Sequence, residues 1–273
     1  MVKRTSCGCF KKVGKHGNRN NTIPLKGFGE SFERSLFKNG NIGMDNKKEP
    51  LWELIRLLFK AHPWHGVSIG ADQPTYVTTY IEVVPSDTVK YELDKDSGIL
   101  KVDRPQSFSN VCPTMYGMIP QTFCGETVSQ YCEKMTGKQN IVGDDDPLDI
   151  CVLSENLVPR GDILLQAKPI GGLRMIDGGE ADDKIVAVLK DDASYGYWSD
   201  IDDCPPAILD RLKHYFLTYK QVPGDDAMAC EITHTYGKEE AYEVIRRSHV
   251  DYLKRFANID DLLTIALRNG VDL

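Results

Sequence analysis

With 273 residues, 41% of them hydrophobic and 27% charged, the chain is long enough to bury a core. That composition excludes collagen-like, low-complexity and wholly disordered classes, and no run approaches the roughly 18 apolar residues that a membrane helix needs. The net charge of −7 argues against a nucleic-acid binder, but it is unevenly spread: residues 1–48 carry 11 basic and 3 acidic side chains, leaving 22 basic against 37 acidic in the remainder.

The basic leader is rich in Lys, Gly and Asn. Three readings of it stand open: an organellar targeting peptide, an extension preceding Met44 as the true start, and a tail for anionic polymers. Cys7, Cys9 and His16 lack zinc-finger spacing. The eight cysteines form no Cys-x-x-Cys pair and follow no signal peptide, so free thiols in a reducing compartment are expected.

Residues 50–62 predict a short helix, with Pro50 at its start and Leu51, Leu54, Leu57 and Leu58 at helical spacing. His62-Pro63-Trp64-His65 then predicts a packed turn, because Pro63 breaks the helix that would aim both histidines at a metal. Strands are expected over 76–84, 89–93, 99–102, 148–153, 163–168 and 184–189, separated by Gly, Pro and Asp turns. Such spacing favours a small closed barrel over alternating βαβ units. Apolar stripes predict helices over 206–220 and 239–256, with His249 packed on the second stripe. The expected class is α+β.

The densest chemical feature is Gly143-Asp144-Asp145-Asp146-Pro147-Leu148-Asp149. Asp144 and Asp146 share a face of an extended chain, and Asp149 opens an apolar strand. Carboxylates at the mouth of a buried strand need compensating charge, which a hard cation such as Mg2+ supplies through oxygen ligands; an acidic surface turn is the alternative. An EF-hand is excluded because Pro147 and a strand replace its loop. A second acidic loop runs from Asp177 through Gly178, Gly179 and Glu180 to Asp182 and Lys184. Lys90 and Glu92 project together from one strand, Asp103 and Arg104 end the next, and Tyr219 and Lys220 close a helix. An acidic metal cluster with lysines, an arginine and tyrosine hydroxyls suits phosphoryl chemistry. Thr136-Gly137-Lys138 fails as a P-loop, since Cys132 and Gln139 occupy the positions of its first Gly and its Ser/Thr.

The order of these elements resembles the family I soluble inorganic pyrophosphatases. It runs Tyr-Ile-Glu-Val-Val, Val-Lys-Tyr-Glu-Leu-Asp-Lys, Val-Asp-Arg, Met-Tyr-Gly, Gly-Asp-Asp-Asp-Pro-Leu-Asp, Met-Ile-Asp-Gly-Gly-Glu-Ala-Asp-Asp-Lys and His-Tyr-Phe-Leu-Thr-Tyr-Lys, over about half the chain. The resemblance implies a five-stranded OB-like β-barrel with flanking helices, several Mg2+ ions, and hydrolysis of pyrophosphate to two orthophosphates. It implies a single catalytic domain over 49–273 and a homo-oligomer, dimer or hexamer. Composition and cysteine use predict a disordered extension over 1–48, a cytoplasmic location, and no membrane or nucleic-acid partner for the body. By motif position the resemblance implies Asp144, Asp149, Asp177 and Asp182 as metal ligands and Asp146 as the base. Glu82, Glu92 and Asp103 become outer acceptors, and Lys90, Arg104, Tyr116, Lys184, Tyr219 and Lys220 bind phosphate. With Asp145, nine acids then face four cations. Two departures stand out: Met118, where the family often has an aromatic, and a long segment over 120–143 containing Cys124 and Cys132, to which no role attaches. Two other classes compete: a metal-dependent nucleotide or polyphosphate phosphohydrolase on the same barrel, and an OB-like module binding single-stranded nucleic acid.

Overall fold

The computed structural model describes residues 60–106, 110–220 and 230–256, all within one compact unit, Phe59–Leu273. The leader, Cys7, Cys9, His16 and most of the helix predicted over 50–62 lie outside the described residues; 60–62 are not helical.

Among the described residues, ten strands and three helices follow in chain order: β1 Val77–Val83, β2 Val89–Leu93, β3 Leu100–Pro105, β4 Met115–Met118, α1 Glu126–Thr136, β5 Val142–Gly143, β6 Asp149–Leu153, β7 Ile163–Asp177, β8 Glu180–Ala181, β9 Lys184–Leu189, α2 Pro206–Thr218, β10 Cys230–Gly237 and α3 Lys238–Phe256. A single 3₁₀ turn, Ile201–Asp203, precedes α2. β1, β4, β6, β9 and β7 pair in that order, and β7 pairs back to β1, closing a ring of five strands. Only the β6–β9 contact in the ring is parallel. β2 and β3 form a separate hairpin.

All seven residues of β1 are buried, because both its faces are packed: Val77 and Ile81 in one core cluster, Val83 and Tyr80 in two others. β7 runs nine residues past the predicted strand over 163–168. Its register shifts at Pro169/Gly171, so the same strand serves β1 early and β10 late. Gly172 is required there: a Cβ would stand 2.5 Å from the ring of Tyr236 on β10. Inside the ring Val77, Ile81, Ile150 and Ile185 pack with Val128 of α1 and Ala241, Val244 and Ile245 of α3. Leu212 and Phe216 of α2 cover Cys151, Leu173 and Val186 in a second cluster. Burying such side chains contributes roughly 1.5–3 kcal/mol each.

α1 lies in the 120–143 segment, for which no helix was expected. Gly137, part of the P-loop-like triplet, is its left-handed C-cap, donating to the Glu133 carbonyl at 2.8 Å. The 62–65 turn is packed: the His62 ring accepts from the Trp64 amide at 3.2 Å, and His65 Nδ1 lies 2.9 Å from the Tyr252 hydroxyl. His249 is packed too, 2.7 Å from the Gln121 carbonyl. Cys112, Cys124, Cys132, Cys151, Cys204 and Cys230 are free and buried. No helix among the described residues is long and apolar enough to cross a membrane.

Candidate active site

The parallel pair β6–β9 sets Asp149 opposite Lys184 at one rim of the ring. At that rim lies a cavity of about 190 Å³. Its walls come from β1 (Glu82), β2 (Lys90, Glu92), β4 (Tyr116), the loop before β6 (Asp144, Asp146), β6 itself (Asp149), the β7–β9 connection (Asp177, Asp182, Lys184) and the residues after α2 (Tyr219, Lys220). These are twelve of the fourteen residues to which the sequence assigned a role. Alternation explains the β9 end: Lys184 turns into the cavity, while Asp183 turns into the core, 2.6 Å from the buried Arg174 guanidinium.

Lys184 is 2% exposed and bonds both Asp149 and Asp182, the latter at 2.5 Å. Burial alone would lower its ammonium pKa, but the two carboxylates hold it well above the ordinary value. The Tyr116 hydroxyl donates to the same Asp149 oxygen that Lys184 bonds, 2.5 Å from Oδ2. Burial raises the Asp149 carboxyl despite Lys184. Glu82, buried and accepting from the Leu93 amide at 2.7 Å, is pushed up to about 8 by burial. Lys90 sits 2.9 Å from Glu92 and 3.4 Å from Asp103. Lys220 pairs with Asp177, whose carboxyl it holds below the ordinary value against the effect of burial.

Asp103 and Arg104 do not line the cavity. Arg104 bonds Asp103 at 2.5 Å, and its guanidinium lies 5.7 Å from the ring centre of Tyr219, which does line it. Asp145, counted with the site from its place in the motif, is also absent from the walls; it takes a left-handed φ of 60° and donates its amide to Cys124. Conversely, Lys95 and Glu180 line the cavity without having been singled out, and Lys95 bonds Asp146. Lys95 read only as part of the turn after β2, and Glu180 as a solvated loop residue. Met118 fills the wall position where an aromatic was expected, 1% exposed.

Eight carboxylates thus face four lysines. Among the described residues no three His, Cys, Asp or Glu groups converge as a ready-made metal cluster, because lysines stand between the oxygens. Asp144 accepts the Asp146 amide at 3.0 Å and, among the described residues, forms no direct ion pair; Lys184 acts on it only at longer range. Burial and then Asp182 raise its carboxyl pKa. A half-buried carboxyl with no direct cationic partner, crowded by other carboxylates in an all-oxygen donor set, fits a hard divalent cation.

Comparison with known proteins decides the family. Residues 79–253 match the family described as inorganic pyrophosphatase. The chain belongs to the inorganic pyrophosphatase family. The matched stretch contains every residue assigned to the site. The inorganic pyrophosphatase of Chlamydia muridarum is 54% identical over 199 residues, 71% of this chain and 95% of that one. Soluble inorganic pyrophosphatase 2 of Chlamydomonas reinhardtii is 39% identical, covering 69% and 86%. The crystal structure of inorganic pyrophosphatase from Thermus thermophilus superposes with a TM-score of 0.59 at 28% identity, covering 70% of this chain and 99% of that one. As a pyrophosphatase the chain is an enzyme, and its acidic cavity has a chemistry to perform.

Proposed function

We propose that the chain hydrolyses inorganic pyrophosphate to two orthophosphates in a Mg2+-dependent reaction. The observation that carries this reading is the gathering of eight carboxylates, Asp144 among them without a direct ion pair, around a lysine-lined cavity large enough for a small polyanion. Asp144, Asp149, Asp177 and Asp182 would hold the metal ions. Bound Mg2+ lowers the pKa of water and polarises phosphoryl oxygens.

The chain's own residues do the rest. Asp146, at the mouth of the cavity, takes the proton of the attacking water as its oxygen bonds to one phosphorus and the bridging P–O bond breaks. Lys90, Lys184 and Lys220, with the Tyr116 and Tyr219 hydroxyls, receive the non-bridging oxygens and the departing orthophosphate. Arg104, held over Tyr219, extends this set at the rim. Glu92 and Asp103 hold Lys90 in place, and Glu82, on the Leu93 amide, would accept from water in the cavity. Lys95, which bonds Asp146, would have to give up that contact for Asp146 to act as base.

We read the ring as the OB-like barrel, since its third and fifth strands run parallel and its other neighbours antiparallel. The enzyme works as a homo-oligomer, measurable by light scattering, and locates to the cytoplasm. Phosphate release from pyrophosphate, tripolyphosphate and ATP at equal Mg2+ tests the substrate class. Preference for pyrophosphate is expected, and preference for ATP would favour a nucleotide phosphohydrolase.

A further inference from the structure

The segment over 119–125, between β4 and α1, puts no side chain into the cavity, yet it is hydrogen-bonded along both edges. One edge grips the acidic loop. The Ile119 amide donates to the Leu148 carbonyl at 2.9 Å, and the Leu148 amide to Thr122 Oγ1 at 2.9 Å. The Cys124 amide donates to the Asp146 carbonyl at 2.8 Å, and the Asp145 amide to the Cys124 carbonyl at 3.2 Å. The backbones are so close that a Cβ on Gly143 would stand 2.1 Å from the Cys124 oxygen. This contact holds Asp145 in its left-handed conformation between Asp144 and Asp146.

The other edge is fastened to α3. The Phe123 amide donates to the Ser248 carbonyl at 2.9 Å, and Thr127 Oγ1 to the Arg247 carbonyl at 3.1 Å. The N-cap of α1 is Gly125, which has no side chain to cap with. Asp251 of α3, 4% exposed, supplies the missing acceptor: its Oδ2 takes the amides of Thr127 at 2.9 Å and Val128 at 3.2 Å. Its other oxygen lies 3.8 Å from Lys254 Nζ. An anion on the first-turn amides is favoured by the helix dipole as well as by the hydrogen bonds.

We infer that Asp251 is a positioning residue of the active site: by fastening the first turn of α1 to α3 it fixes residues 123–125, and through them the backbone that carries Asp144 and Asp146. The inference rests on the proposed function only for what that loop binds. A mere helix cap would affect stability alone. A positioning residue also governs the order of the loop and its affinity for cations.

The test compares wild type with Asp251→Ala, Asp251→Asn and Val250→Ala, the last an exposed change on α3 one residue from Asp251 that leaves its carboxylate in place. Three readouts serve: amide hydrogen exchange in metal-free protein, Mg2+ titration by calorimetry, and kcat and KM for pyrophosphate. In Asp251→Ala the Cys124 and Asp145 amides exchange faster. Mg2+ binding weakens by about 10- to 100-fold, as for lost outer partners of metal ligands. The KM at saturating Mg2+ is unchanged. Asp251→Asn keeps the shape but offers a neutral acceptor, about half as strong, and shifts the same readouts less. Val250→Ala moves none of them. Wild-type exchange at Cys124 and Asp145 with wild-type Mg2+ binding in Asp251→Asn overturns the inference, even where Asp251→Ala does not fold. Wild-type protein that binds no Mg2+ overturns the functional reading instead, and the exchange data then decide the role of Asp251.

Discussion

Replacing Arg174 by Met should destabilise the domain strongly without touching the cavity. Arg174 is fully buried between β7 and α3, 2.6 Å from Asp183 and 2.7 Å from Glu240, with its guanidinium 5.0 Å from the Tyr236 ring centre and 5.3 Å from that of Tyr131. Removing it leaves the fully buried Asp183 with the Tyr236 hydroxyl at 3.2 Å and the Met175 backbone but without its guanidinium. Breaking a buried pair from one side costs about 3–5 kcal/mol. At about 2–4 °C per kcal/mol for a domain of this size, the melting temperature should fall by about 6–20 °C. Asp183→Asn should also destabilise, but less, because Glu240 still pairs with the guanidinium at 2.7 Å. The double variant should lose about 0.5–3 kcal/mol less than the sum of the two, since it removes both members of the Arg174–Asp183 pair. Urea unfolding of the four proteins measures the cycle. Single variants within 1 kcal/mol of wild type, or strict additivity, would refute the view that this pair anchors the connection between Asp182 and Lys184.

Asp146→Asn should slow pyrophosphate turnover by about 10²- to 10⁴-fold, the usual range for a general base, while calorimetry shows Mg2+ binding retained; a wild-type rate would sink the assignment. Lys184→Met strands Asp149 and Asp182, so metal-free protein should melt lower and added Mg2+ should recover most of the difference; no recovery would argue that these carboxylates do not take cations. His65 is held down to about 4, mainly by burial and then by His62. The unfolded chain therefore binds its proton first. The stability this confers is present above the ordinary value near 6.5 and is lost as pH falls toward 4. Urea midpoints from pH 7 to 4 should drop less steeply for His65→Phe, and parallel profiles would count against the neutral, packed histidine.

Much of the site was legible because its signals are local. Alternating acids followed by Pro147 and an apolar strand put Asp144, Asp146 and Asp149 at a strand mouth, and Lys184 follows Asp182 at the spacing that shares a face. What escaped depends on distant partners. α1 has no capping side chain of its own, and its cap arrives on α3, 124 residues beyond Thr127. The extension of β7 was hidden by Pro169, Gly171 and Gly172, which read as turn residues but mark a register shift and the seat of Tyr236. Lys95 looked like turn punctuation until the β2–β3 hairpin brought it to Asp146. Asp145 shares the motif but not the cavity, because a left-handed φ turns it from the face its neighbours use. Cys124, without a role by composition, contributes its backbone rather than its thiol.

The most direct test is phosphate release from pyrophosphate by metal-stripped protein before and after Mg2+ is added back. The account predicts no release beyond the uncatalysed background without Mg2+ and rapid stoichiometric conversion to two orthophosphates with it. Release that is equal with and without divalent cation, or none under either condition, would contradict it.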